Sequence, residues 1–236
     1  QIAPKHGVKI CITDRADFYH QIGVSDERSQ MNCVWPAFRL GDFEGTKAHA
    51  ALLAKALKKP RKLDRAVFGD ALNGVPSDFP RKIDADTLVF GAFGAILQGD
   101  QLGVEIGIDS HAGLLKSYGL LGSDENLVSS RLVRPSDVHQ GLVIDDYFAI
   151  AQVPVGQLKT QGDASFPRSK AHEAFRRAKD AYASENLEGS DLKDITEQNK
   201  ATVIGAEIDS RAELASKGLV TVGAPSQKRL ALSWMC

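Results

Sequence analysis

The chain has few cysteines, almost no excess charge and no long apolar run, and each scarcity argues against a class of protein. Cys11, Cys33 and Cys236 are its three cysteines. An odd count without paired metal-ligand spacing argues against a disulfide framework and points to a reducing compartment. The expected location is therefore intracellular, cytoplasmic or nuclear. The six histidines form no HxxxH or HExxH arrangement, which speaks against a structural zinc site. No stretch approaches the roughly 20 apolar residues of a bilayer-spanning helix, so no membrane partner is expected. The formal net charge is −1, whereas a protein living by phosphate contacts alone usually carries a basic excess. Internal repeats and low-complexity tracts are missing. The chain begins with Gln1 and has no charged-then-apolar leader, so it reads as a processed or excised piece of something longer.

What is present is enough for one large domain or two small ones: 236 residues, 43% hydrophobic and 25% charged. Residues 7–13 (GVKICIT) are apolar and β-branched and read as a strand ending at Asp14. Residues 46–59 read as a helix capped by Thr46, with Ala50, Leu53 and Leu57 at helical spacing and Pro60 beyond the end. Residues 60–84 hold several Pro and Gly and read as irregular. Residues 87–97 form an apolar run. A helix follows, with Val104, Ile108, Leu115 and Tyr118 on one face. Residues 141–152 (GLVIDDYFAIAQ) place two apolar, β-rich runs around Asp145 and Asp146, the pattern of a tight hairpin with that pair at its tip. Residues 169–188 read as a helix burying Phe175, Ala178 and Tyr182, and residues 201–208 as another strand.

Asp145 and Asp146 sit between strands whose flanks are apolar, so the tip alone is polar. Adjacent carboxylates there repel, and a divalent cation relieves the repulsion. A solvated turn is the plainer reading, since Asp is a common turn residue. Asp14 adds a third carboxylate at a separate strand end. Two-metal phosphoryl transfer needs carboxylates from separate strands converging on ions about 3.5–4 Å apart, and hard oxygen ligands suit Mg²⁺.

On these residues the chain resembles the reverse transcriptases, most closely those of retroelements. Residues 12–22, ITDRADFYHQI, are similar to the first catalytic motif of that family: a strand Asp, an aromatic five residues on, then His-Gln-Ile. Residues 97–99, LQG, resemble its Leu-Pro-Gln-Gly motif without the proline. Residues 143–146, VIDD, resemble its Tyr-x-Asp-Asp hairpin, with Val143 in place of the aromatic. Lys193, in GSDLKD, lies where the family often has a lysine assigned to protonate leaving pyrophosphate. Residues 203–209, VIGAEID, look like the later hairpin that grips the primer.

The resemblance implies an α+β fold, a polymerase palm with an antiparallel sheet and packed helices. Fingers and thumb would be incomplete. Residues 1–38 would be the first palm segment, 39–88 an insertion, 89–209 the main palm segment and 210–236 the start of the thumb or connection. It implies an RNA-directed DNA polymerase, a nucleotidyltransferase adding deoxynucleotides to a primer 3′-hydroxyl. Its partners would be an RNA or DNA primer-template and a deoxynucleoside triphosphate, within a larger polyprotein. Asp14, Asp145 and Asp146 would hold two Mg²⁺ ions, with Mn²⁺ as an alternative. Lys193 would be the general acid, Tyr19 the sugar gate that excludes a 2′-hydroxyl, and Gln98 and Gly99 the nucleotide-side contacts.

Each role has a plainer rival. Tyr19 is also a natural core aromatic, and Lys193 a natural member of a solvated cluster with Asp191 and Asp194. Lys58, Lys59, Arg61 and Lys62 lie in the densest basic run and are candidates for nucleic-acid contact. A solvated helix end produces the same pattern. Arg168, Lys170, Arg176, Arg177 and Lys179 form a second basic surface. The alternative for the whole chain is a catalytically inactive, retroelement-derived palm that binds RNA or protein. The absent proline and the valine at position 143 favour it, and the three carboxylates oppose it.

Overall fold

A computed structural model describes residues 2–29, 31–57, 84–97, 99–100, 102–129, 131–158, 167–225 and 227–230. The chain divides into two compact units, Gln1–Gly23 with Ala95–Cys236, and Val24–Gly94. The architecture is mixed, with antiparallel sheets and several helices. Among the described residues, no helix is long and apolar enough to cross a membrane.

The larger unit is built on strand β1, His6–Asp14. In the smaller unit, β2 (Cys33–Arg39) pairs antiparallel with β3 (Leu88–Ala92). Helix α1 (Lys47–Leu57) follows a 3₁₀ turn at Leu40–Phe43. Thr46 Oγ1 caps α1 by accepting from His49 N at 3.2 Å. The apolar run from 87 to 97 is a strand only over Leu88–Ala92. This unit encloses the expected insertion 39–88, of which residues 58–83 lie outside the described residues.

Back in the larger unit come helix α2 (Gly103–Ser117), the strands β4 (Val138–Val143) and β5 (Asp146–Pro154), and helix α3 (Lys170–Ser184). Strand β6 (Ile195–Gln198) follows, then β7 (Lys200–Val203), β8 (Ala206–Asp209) and β9 (Thr221–Gly223). The main sheet has the order β4-β5-β1-β6, and every pairing in it is antiparallel. β7, β8 and β9 form a second, three-stranded sheet.

β1 lies inside the main sheet and is buried on both faces, which is why its sequence is nearly continuous in apolar residues. Alternation sorts its side chains. Cys11 joins Tyr147, Ala149 and Ala151 of β5 under Leu115 of α2 and Ala171, Phe175, Ala178 and Tyr182 of α3. Val8 and Ile10 join Phe148 with Ala201 and Val203 of β7 on the opposite face. Ser169 caps α3 by accepting from His172 N at 3.3 Å, and the alanine-rich stripe below lets that helix lie close on the sheet.

Three expectations are corrected. The hairpin tip is Ile144-Asp145, and Asp146 is already the first residue of β5, opposite Val143. The buried face of α2 is Gly103, Gly107, His111 and Leu115, while Val104 and Tyr118 are exposed. The glycines explain this, because a Cβ at Gly107 would stand 3.2 Å from Phe18 Cε1. Close approach by neighbouring side chains, rather than apolar bulk, selects the face. The strand expected over 201–208 is two strands turning at Ile204 and Gly205, which take φ of 48° and 76°.

Gly141 of β4 faces Phe148 of β5, and a Cβ there would stand 2.1 Å from Phe148 Cζ. Gly141→Ala is expected to cost roughly 1–3 kcal/mol by overpacking. Phe148→Leu should relieve part of that cost, giving a non-additive double-mutant cycle in urea unfolding.

Candidate active site

Asp14 ends β1 and Asp146 begins β5, and the two are direct partners in the antiparallel register. Cross-strand partners project to the same face, with Cβ atoms about 4.5–5.5 Å apart. Asp145 occupies the turn beside them, and its carbonyl accepts from Arg15 N at 3.2 Å. Asp14 is 9% exposed. The Asp146 carboxyl is held above its usual range, first by burial and then by the charges of Asp145 and Asp14, with Lys193 pulling the other way. Its protonation therefore responds to the other members of the cluster.

Lys193 closes a 3₁₀ turn at Asp191–Lys193 and donates from Nζ to Asp14 Oδ2 at 2.5 Å. Its ammonium is held above its usual range by that bond and by the Asp14 charge, with smaller contributions from Asp145 and Asp146. Asp191 and Asp194 do not take this lysine. Both are bonded by Lys179, which reaches Asp194 Oδ2 at 2.8 Å. Lys193 is thus directed to the carboxylate cluster rather than to its acidic neighbours in sequence.

The scaffold beneath the cluster contains residues that sequence reasoning missed. Ile144 has φ of 56°, a left-handed conformation costly for a β-branched residue. His111 holds it: Nδ1 donates to Ile144 O at 2.8 Å, and Nε2 accepts from the Tyr182 hydroxyl at 2.7 Å. The carbonyl can only accept, which fixes the proton on Nδ1. The Tyr182 ring carries the Arg15 guanidinium at 3.9 Å from its centroid. Arg15 also donates to Thr13 Oγ1 at 2.5 Å and to Leu187 O at 3.1 Å. One buried chain of contacts therefore links the hairpin tip to the end of β1. The signal in the sequence was a histidine on the glycine stripe of α2, four residues after Gly107 and four before Leu115.

Tyr19 lies in a single helical turn, Phe18–Gln21, half-buried, with its ring centroid 5.9 Å from that of Phe18. Its Cε1 is 3.4 Å from where a Cβ of Gly107 would stand. Asp17 precedes that turn in the left-handed region and makes no side-chain cap bond. Gly99 has φ of 96°, and the space where its Cβ would project is open. Gln98, Lys58, Lys59, Arg61 and Lys62 lie outside the described residues. In the second basic surface, Lys170 pairs with Asp137 at 2.6 Å, Arg177 donates to Tyr118 O at 2.7 Å, and Lys179 is taken by Asp191 and Asp194. Three of its five cations are thus engaged within the protein.

The donor set is all hard oxygen, crowded and partly buried, with an ammonium ion already drawn to it. These residues fit Mg²⁺ or Mn²⁺ and would not suit a soft metal. No protein-family model matches the chain, and no curated protein matches it.

Burial lowers the His111 pKa from 6.5 to about 4. The unfolded chain then binds the extra proton between those values, so stability falls as pH drops through that window and is full above it. His111 should account for roughly 3 kcal/mol lost between pH 7 and pH 4. His111→Gln keeps a donor for Ile144 and an acceptor for Tyr182 without taking up a proton. Urea unfolding at the two pH values should therefore give a smaller difference for this variant than for the parent.

Proposed function

We propose that the larger unit is a polymerase palm of reverse-transcriptase type, adding deoxynucleotides to a primer 3′-hydroxyl. The observation that carries the reading is the register of Asp14 against Asp146, with Asp145 in the adjoining turn. Asp14, Asp145 and Asp146 would hold two divalent ions. When bound, these ions lower the pKa of the attacking hydroxyl and neutralise the triphosphate.

The chain's own groups do the rest. Three carboxylates, two on paired strands and one in the turn from β4 into β5, supply rigid positions, so little reorganisation is needed at reaction. Lys193 retains its proton beside the cluster and would deliver it to the leaving pyrophosphate after releasing Asp14. Tyr19, five residues beyond Asp14, would sit under the sugar, rejecting a 2′-hydroxyl by contact. The left-handed, unobstructed backbone at Gly99 suits close approach by a substrate.

A second reading is a catalytically inactive palm that binds RNA or protein. The Lys193–Asp14 ion pair favours it, because an ammonium ion relieves the same repulsion that a metal would.

Asp145→Asn separates the two. In a longer form of the chain that supplies fingers and thumb, the parent should extend a primed template with Mg²⁺, and the variant should lose on the order of a thousandfold or more in rate. Asn suits the turn, so circular dichroism should show the fold intact. The metal-free melting temperature should stay level or rise slightly, and Mg²⁺ should stabilise the parent more than the variant. Equal Mg²⁺ stabilisation and no extension by the parent would favour the inactive palm.

A further inference from the structure

A second cluster lies on the other face of β1 from Asp14. Cys11 comes from β1, His172 from the first turn of α3 and Glu197 from β6, and one ligand atom of each lies within 4.8 Å of the other two. Cys11 is fully buried. Its Sγ accepts from Glu197 N at 3.3 Å. Burial pushes the thiol pKa up to about 12 and that bond works only partly against it, so a bound cation must supply the charge that draws the proton off. The His172 Nδ1 atom is buried without a hydrogen-bond partner among the described residues, a costly arrangement unless something else satisfies it. Glu197 takes φ of 56°, a left-handed conformation held by its surroundings. Its Oε1 accepts from Ser169 N at 3.3 Å and from Ser169 Oγ. The residue that caps α3 thus also orients the carboxylate, as outer partners of metal ligands do.

We propose that Cys11, His172 and Glu197 bind one zinc-class divalent ion, with a fourth position left to water. Thiolate, imidazole and carboxylate together select a borderline-soft metal over Mg²⁺. The ion would tie β1, β6 and α3 together on the helix-facing side of the sheet, three residues before Asp14. Binding releases the Cys11 thiol proton to solvent. Sequence spacing hides the site, because its ligands are scattered over three elements and form no local motif.

The test is a Co²⁺ titration of the reduced protein with excess Mg²⁺ present to fill the carboxylate cluster. One equivalent should give a near-ultraviolet sulfur-to-cobalt charge-transfer band. Cys11→Ser and His172→Gln should each abolish or shift it, while Cys33→Ser and Asp145→Asn should leave it. Zn²⁺ should raise the melting temperature of the parent by roughly 5–10 °C and leave that of His172→Gln unchanged. His172 is only half-buried, so its variant carries the test even where Cys11→Ser does not fold. Absence of the band in the parent, or its persistence unchanged in His172→Gln, would overturn the proposal.

Discussion

Two carboxylates stand opposite each other across hydrogen-bonded strands, and a third lies in the turn that joins one of those strands to its neighbour. Like charges directly opposite on a sheet are destabilising, and burial of Asp14 increases the cost. The surrounding structure answers that cost. Lys193 is bonded to Asp14 although two acidic residues adjoin its own turn, and Asp146 is held toward its protonated form. A cluster this crowded is easiest to understand as one whose charge is completed by cations.

The crowding persists because the backbone beneath it is pinned. The turn residue Ile144 takes a conformation unfavourable to its side chain, and His111 secures its carbonyl. The same histidine accepts from Tyr182, whose ring underlies Arg15, and Arg15 directly follows Asp14. Helices α2 and α3 thus hold both ends of the cluster through polar contacts set in an otherwise apolar layer. Such a network fixes positions more narrowly than apolar packing alone, provided its members are paired.

The fold was legible wherever burial follows a simple period. The apolar run before Asp14 is a strand, and Phe175, Ala178 and Tyr182 share the buried face of α3. It was illegible where glycine and histidine line the contact face. On α2, apolar Val104 is exposed while Gly103, Gly107 and His111 are buried, a pattern that hydrophobic spacing cannot reveal. Asp14, Asp145, Asp146 and Lys193 could be named from the sequence and lie in one cluster. Their separation along the chain conceals the register that sets Asp14 against Asp146. The turn was displaced by one residue because Ile144, a poor left-handed residue, occupies a position that turn chemistry assigns to Asp, Asn or Gly. Pairing Lys179 with Asp191 and Asp194 required the fold, since nothing in the spacing distinguishes Lys179 from Lys193 as their partner.

The central claim is that Asp14, Asp145 and Asp146 form one divalent-cation centre, and crystals grown with Mn²⁺ and a primer-template test it most directly. An anomalous difference map should place manganese between Asp14 and the Asp145-Asp146 pair, with two peaks about 4 Å apart once a nucleotide is bound. The Lys193 ammonium should have moved off Asp14 Oδ2. A map with no peak at these carboxylates at saturating Mn²⁺, and with Lys193 still bonded to Asp14, would contradict the account.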